Sequence, residues 1–288
     1  MTLDQSSVVL VTGASRGAGR GIACALAQSG CTVYITGRTL DNSNNNSGLP
    51  GTLTHTAKTI EEAGGTAVAV VCDHAKDDNV KQLFQQIERD HGRLDVLVNN
   101  ATCLPDALTQ PGPFWEKPLN LLDILNVGMR SHYIASYYAA PLMVKQQSGL
   151  IVNTSSFGAR CYMHGPAYGA GKSAADKMAH DMAVDLKPHN VASVSIWMGL
   201  LLTERTQAVF DAEPEKYGPM IEMTESPELT GHVIAALAND SDLMNKSGQI
   251  LIGAELANEY DILDKGKAPI SHAPMLGEPA QMNPAIVE

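Results

Sequence analysis

From its first residues almost to its end, the chain alternates short β-branched runs with longer helical patterns. That alternation constrains its fold more than any other feature. The runs are Val8–Thr12, Thr32–Thr36, Thr66–Val71, Leu94–Asn99, Leu150–Thr154, Val191–Ile196 and Gln249–Ile252. Periodic stretches begin between them near Gly17, Thr52, Asp77, Leu119, Pro166 and Pro227. Strands separated by helices pair in parallel through right-handed crossovers, which puts helices on both faces of the sheet. The expected fold is therefore α/β: a single domain with a doubly wound parallel sheet of about seven strands. With 288 residues, 44% of them hydrophobic, one such domain has enough material for its core. Sheets of this kind bind ligands beyond the carboxyl ends of their strands, so the residues after each run are where function is sought.

Two segments break the alternation. Asp41–Gly48 is rich in Asn and Ser and too poor in apolar residues to pack, so it is expected to be a mobile surface loop without function. From about Gly266, Pro269, Pro274, Pro279 and Pro284 interrupt any periodicity, and residues 266–288 are expected to form an extended Pro-rich tail.

Composition removes several classes of function. A formal charge of −11 with no cluster of Lys and Arg argues against nucleic acid or an anionic membrane as partner. No apolar run approaches the roughly 18 residues a membrane helix needs. Five cysteines form no C-x-x-C pair and the N-terminus lacks a basic leader, which points to a reducing, cytoplasmic setting. The nine histidines show no metal-ligand spacing, so they are expected to pack or to face solvent, with no metal bound.

The chemistry-bearing residues follow the runs. After the first comes Thr12-Gly13-Ala14-Ser15-Arg16-Gly17-Ala18-Gly19, between a strand and a helix. Glycines there allow a tight turn and let the N–H groups of a helix N-terminus face a pyrophosphate. The second run ends at Thr36-Gly37-Arg38, with no acidic residue to hold the ribose 2′-hydroxyl of NAD. Arg38 and Arg16 offer guanidiniums suited to a 2′-phosphate, so NADP(H) is expected in preference to NAD(H). Asp73 after the third run can accept from an adenine amine, and Asn100 and Ala101 after the fourth lie beside the cofactor trough; each of these also suits a turn. In the long helix expected after Leu119, Asn126 lies in line with Leu122, Met129 and Tyr133, as a satisfied core amide or as the holder of a water leading to Lys172.

The fifth run ends in Ser155-Ser156, and a hydroxyl at that rim can donate to a carbonyl oxygen as negative charge develops on it. Tyr168 and Lys172, four apart on a helix, share one face with Ala175, Ala179, Met182 and Leu186. An ammonium beside a phenol favours phenolate and lowers a pKa of ordinarily ~10 toward the working range, which is general acid-base chemistry. After the sixth run, Gly199 and Thr203 are in position to contact a nicotinamide, and residues of about 203–227 can close over it as a lid.

Taken together, these residues resemble the short-chain dehydrogenase/reductase family over about residues 6–264. Its T-G-x-x-x-G-x-G loop matches Thr12–Gly19, its N-N-A matches Asn99–Ala101, and its Asn, Ser, Tyr and Lys tetrad falls on Asn126, Ser156, Tyr168 and Lys172. Val33–Arg38, Arg93–Ala101 and Phe114-Trp115-Glu116 look like the animal dehydrogenase/reductase member 1 group within that family. The resemblance implies a Rossmann-type dinucleotide-binding and catalytic domain over residues 1–265. It also implies an oxidoreductase that passes hydride between NADP(H) and a carbonyl or secondary alcohol, and a homodimer or homotetramer. Gly171, Ala174 and Met178 beside the catalytic stripe are candidates for the contact between subunits. The alternatives are a cofactor-binding regulatory protein without turnover, an NAD(H)-dependent alcohol dehydrogenase, or an epimerase or lyase using nicotinamide transiently.

Two rulers disagree on the serine. Counting back thirteen residues from Tyr168, the family's commonest spacing, gives Ser155, whereas aligning the strand end gives Ser156. A strand alternates its faces and a loop tolerates a lost residue, so the strand ruler is followed. The family's Pro-Gly after the sixth strand is Met198-Gly199 here. Around Cys103–Trp115, Tyr162 and Glu204–Met223, where the substrate pocket is expected, no pattern encodes a substrate.

Overall fold

The computed structural model describes residues 1–44 and 49–287. Strands β1 (Val8–Val11), β2 (Thr32–Gly37), β3 (Thr66–Val71), β4 (Val96–Asn99), β5 (Gly149–Ser156) and β6 (Val191–Met198) form the first six strands of the fold. A small pair, β7 (Leu200–Leu201) and β8 (Thr224–Glu225), stands apart, and β9 (Ile250–Ile252) completes the main sheet. That sheet has seven strands in the order β3-β2-β1-β4-β5-β6-β9, and its pairings are parallel throughout. The protein is a single-domain Rossmann fold.

Helices α1 (Gly17–Ala27), α2 (Leu53–Glu62) and α3 (Asp77–His91) cross between the first four strands. Next come α4 (Asp123–Leu125), α5 (Ser131–Gln146) and α6 (Pro166–Leu186). Two short helices, α7 (Glu204–Ala212) and α8 (Pro214–Tyr217), lie between β7 and β8. The chain closes with α9 (Leu229–Asn239), α10 (Leu243–Lys246), α11 (Gly253–Glu259) and α12 (Ala273–Leu276). Strand alternation divides the core in two. Val9 and Val11 of β1 pack with Ile22, Leu26, Val233 and Leu237 on one face, while Val8 and Leu10 pack with Leu83, Ile87, Ala139 and Met143 on the other.

The long helix expected after Leu119 is interrupted. Val127 (φ −115°, ψ 99°) and Gly128 (φ 134°) leave helical geometry between α4 and α5, and the Val127 carbonyl accepts from Cys103 N at 2.8 Å. Gly128 takes a conformation that L side chains rarely adopt, and a Cβ there would lie 2.9 Å from Thr102 Oγ1. The break scatters the anticipated stripe: Leu122 is 54% and Tyr133 52% exposed, and Asn126 is half-buried.

In the Asn/Ser-rich segment, Asn42–Asn44 form a single 3-10 turn, and residues 45–48 lie outside the described residues. Beyond it, Gly51 folds back onto the Gly-rich loop, where its carbonyl accepts from Arg16 Nη2 at 2.8 Å. The Pro-rich segment from Gly266 lies partly against the domain, with Pro269, His272 and Ala273 buried. Among the described residues, no helix is long and apolar enough to cross a membrane.

Candidate active site

The carboxyl ends of β1, β4, β5 and β6 meet at one rim, and the Gly-rich loop leaves β1 there. Gly13 (φ 68°) and Gly17 (φ 57°) both take left-handed conformations. A Cβ on Gly19 would sit 2.3 Å from the Gly13 carbonyl oxygen, and one on Gly13 would sit 2.7 Å from Ala101 Cα, so close backbone approach forces glycine at both positions. Asn100 braces this turn: its amide donates to the Thr12 carbonyl at 2.9 Å and the Gly13 carbonyl at 3.3 Å. Thr12 Oγ1 accepts from the backbone N–H of Asn100 and of Ala101, each at 2.9 Å. The N-N-A segment thus shapes the loop from behind. His132, fully buried and with its pKa pushed down to about 3, fixes Ala101 through a contact of 3.1 Å between Nε2 and the Ala101 carbonyl.

A carboxylate already lies on the loop. Glu204, at the start of α7, accepts from Gly17 N at 2.9 Å and pairs with Arg20 at 3.2 Å. An anion at the N-terminus of α1 is what that helix end attracts, so the geometry fits a pyrophosphate. Arg16 is partly buried, and burial first, then the like charges of Arg38 and Arg205, push its guanidinium below its ordinary value against the opposing pull of Glu204. Arg38 itself is exposed at the end of β2. Ser15 packs against Gly37, and Ala18 is half-buried in the first turn of α1. Asp73 lies at the end of β3, where its Oδ1 accepts from Ala75 N at 3.1 Å.

At the end of β5 the two serines part. Ser156 Oγ lies 2.9 Å from Tyr168 OH and accepts from Gly158 N at 3.2 Å. Ser155 Oγ points the other way and donates to the Lys172 carbonyl at 3.2 Å. Opposite faces of one strand separate them. Burial raises the Tyr168 pKa above its ordinary value, and the Ser156 hydrogen bond acts in the opposite sense. This differs from the expected net lowering by Lys172. The Lys172 ammonium lies 5.7 Å from the Tyr168 ring centroid and donates to the Thr154 carbonyl at 3.1 Å, and burial pushes its own pKa down to about 8.

A group unanticipated by sequence stands one turn further along α6. Asp176, 3% exposed, accepts from Ser195 Oγ at 2.6 Å and Trp197 Nε1 at 2.9 Å, and so ties α6 to β6. Its charge opposes the lowering of Lys172. Its position four residues after Lys172 on the inward face was the available signal. Asn126 lies just before the helix break, and α4 packs against α6. Gly171, named above as a contact between subunits, is buried beneath Leu125 of its own chain, so that part of the expected surface is already covered. Gly199 N donates to Glu225 Oε2 at 3.1 Å, and Thr203 caps α7 by accepting from Thr206 N at 3.3 Å. No group of three His, Cys, Asp or Glu placed to hold a metal comes together among the described residues.

Known proteins carry the same pattern. Residues 7–214 match the short chain dehydrogenase family. The chain is 43% identical over 284 residues to mouse dehydrogenase/reductase SDR family member 1, covering 95% of this chain and 88% of that protein. Among solved structures it resembles a short-chain type dehydrogenase/reductase from Mycobacterium marinum, with a TM-score of 0.73, 25% identity and coverage of 87% of this chain and 94% of that one. It also resembles a metagenomic short-chain oxidoreductase in complex with NADP, with a TM-score of 0.68, 27% identity and coverage of 88% and 98%. With a Gly-rich loop after β1, a serine facing a tyrosine at the end of β5 and a lysine one turn along α6, the chain belongs to the short-chain dehydrogenase/reductase family.

Proposed function

We propose that the protein is an NADP(H)-dependent oxidoreductase that interconverts a carbonyl and a secondary alcohol, with Tyr168 moving the proton. The observation that carries this reading is the contact of 2.9 Å between Ser156 Oγ and Tyr168 OH, with Lys172 buried one turn away. The nicotinamide, when bound, supplies or accepts hydride. Reduction needs a protonated phenol to give its proton to the developing alkoxide, and the burial that raises Tyr168 favours that form. Gly158 N–H occupies an acceptor position of Ser156 Oγ and leaves its hydrogen to donate toward Tyr168 or a carbonyl oxygen. Lys172 would hold the nicotinamide ribose and, while charged, assist loss of the Tyr168 proton in the oxidative direction. Asn126 would keep a water path from Lys172 to solvent.

Gly13, Ser15, Arg16, Gly17, Ala18 and Gly19 would cradle the pyrophosphate, with Arg38 and Arg16 reading the 2′-phosphate. No carboxylate ends β2, and two guanidiniums near enough to repel are suited to a shared dianion. Asp73 would accept from the adenine, Asn100 and Ala101 would line the trough, and Gly199 and Thr203 would face the nicotinamide. The segment from Thr203 would act as the lid, since α7 and α8 are largely exposed and lie between the paired strands β7 and β8. The cysteines described are all free, which suits a cytoplasmic enzyme. Exposed Tyr133 and Tyr137 on α5 would seat a second copy in a homo-oligomer, which sedimentation would detect.

The test is nicotinamide absorbance followed with NADPH and a panel of aldehydes and ketones. Turnover that Tyr168→Phe abolishes is expected. Turnover unaffected by that change, or no turnover across the panel, would overturn the reading.

A further inference from the structure

The C-terminal segment is built into the site. His272 is 6% exposed, and its Nδ1 is buried with no partner among the described residues. The ring stands edge-on to Phe157, the neighbour of Ser156, with centroids 5.9 Å apart. A Cβ on Gly199 would fall 2.7 Å from His272 Nδ1 and 2.3 Å from Glu225 Oε1, so the backbone at Gly199 is held between the two side chains. On another side, the Met223 backbone lies close enough to the imidazole to oppose the lowering of its pKa by burial. Ala273, the next residue, packs with Phe157, Trp197, Ile252 and Ala254. Packing alone would be served by an apolar ring, whereas this residue meets three separate parts of the rim.

We propose that residues 270–276 form a strap that sets the active-site rim, with His272 as a positioning residue joining the C-terminal segment to Gly199, to the end of the lid at Met223 and Glu225, and to Phe157 beside Ser156. The functional meaning of the strap rests on the oxidoreductase reading above, in which Gly199 faces the nicotinamide. Burial pushes Glu225 up to about 7 and His272 down, so near neutrality the imidazole is uncharged and the carboxyl sits at its midpoint.

Coupling between two sites is reciprocal and typically worth about 5- to 150-fold. The test is amide hydrogen exchange on the full chain, read by mass spectrometry with and without NADPH. His272→Ala should speed exchange at residues 199–203 and 218–225 by about tenfold while β1 keeps the wild-type rate. In return, Gly199→Ala should loosen residues 270–276 by a similar factor, because its new Cβ displaces His272. His272→Phe keeps the edge contact with Phe157 but has no ring nitrogen to face the Met223 backbone, so it should loosen 218–225 alone, and it serves if the alanine variant does not fold. Faster exchange confined to 266–287 in His272→Ala, or no change there in Gly199→Ala, would overturn the strap. NADPH protection of residues 12–19 reports separately on the oxidoreductase reading, so either idea can fail without the other.

Discussion

The two ends of the rim are prepared differently. At the end of β5, Ser156 and Tyr168 face each other at 2.9 Å, with Lys172 buried on the next turn. At the end of β1, the Gly-rich loop is engaged by Glu204, which takes the Gly17 N–H at 2.9 Å, and Arg16 binds the Gly51 carbonyl. One end holds its groups in place through the core; at the other, the N-terminus of α1 is already engaged by a side chain of α7. Preorganisation is therefore expected to set the rate at the first end, and displacement of an internal partner to tune affinity at the second.

The largest effects should fall at the first end. Tyr168→Phe keeps the ring and removes the proton, so turnover should drop by about 10²–10⁴ while NADPH binding persists, as steady-state kinetics and a binding titration would report. Ser156→Ala should cost about 10²–10³ in turnover, and Ser155→Ala much less because its hydroxyl serves the Lys172 carbonyl. The reverse order in the two mutants would move the donor to Ser155 and break the comparison.

Affinity is the measure at the second end. Arg38→Ala should weaken NADPH by roughly 10- to 150-fold, the loss of a charged hydrogen bond, and leave NADH nearly unchanged; equal losses for both would rule out reading of the 2′-phosphate. Glu204→Gln removes an anion from the α1 N-terminus, worth about 0.3–1 kcal/mol, so NADPH should bind about 2- to 5-fold more tightly in fluorescence titration. Weaker binding would mean that Glu204 supports the cofactor site instead of competing for it.

The smallest effect is a shift in pH dependence. Burial holds Lys172 near 8, so its charge is present below that pH and lost above it, and functions that need the ammonium should fall as pH rises through about 8. Asp176 raises the Lys172 pKa, and Asp176→Asn should therefore move this alkaline limb to lower pH. An unmoved limb in the pH profile would remove Lys172 as its source.

Much of this was legible because the signals are local. The Tyr168–Lys172 spacing defines a helix face on any helix, and the strand-end alternation separates Ser155 from Ser156. Asp176 lay on the same face and could have been read by continuing the stripe. The break at Val127–Gly128 overrode helical periodicity because a loop contact from Cys103 competes for the Val127 carbonyl, and only Gly128 itself hinted at it. Glu225 and His272 had no local signal. They meet across Gly199 because β8 and the C-terminal segment reach one place by separate routes, and no periodicity encodes that meeting. The direction of the Tyr168 shift also depended on burial depth, which spacing does not contain.

The strand order carries a consequence for how the chain is made. β1 lies between β2 and β4, and β4 lies between β1 and β5. As the chain emerges from the ribosome, β1 can pair with β2 early, but its other edge stays open until residue 99 has been synthesised. The edge that β4 then offers waits for β5, whose last residue is Ser156. Parallel pairings of this kind close long loops before they gain contacts, so they form slowly and leave apolar edges exposed meanwhile. Nascent chains stopped between β4 and β5 should bind holdase chaperones most strongly, and that binding should fall once α6 has packed behind Ser156.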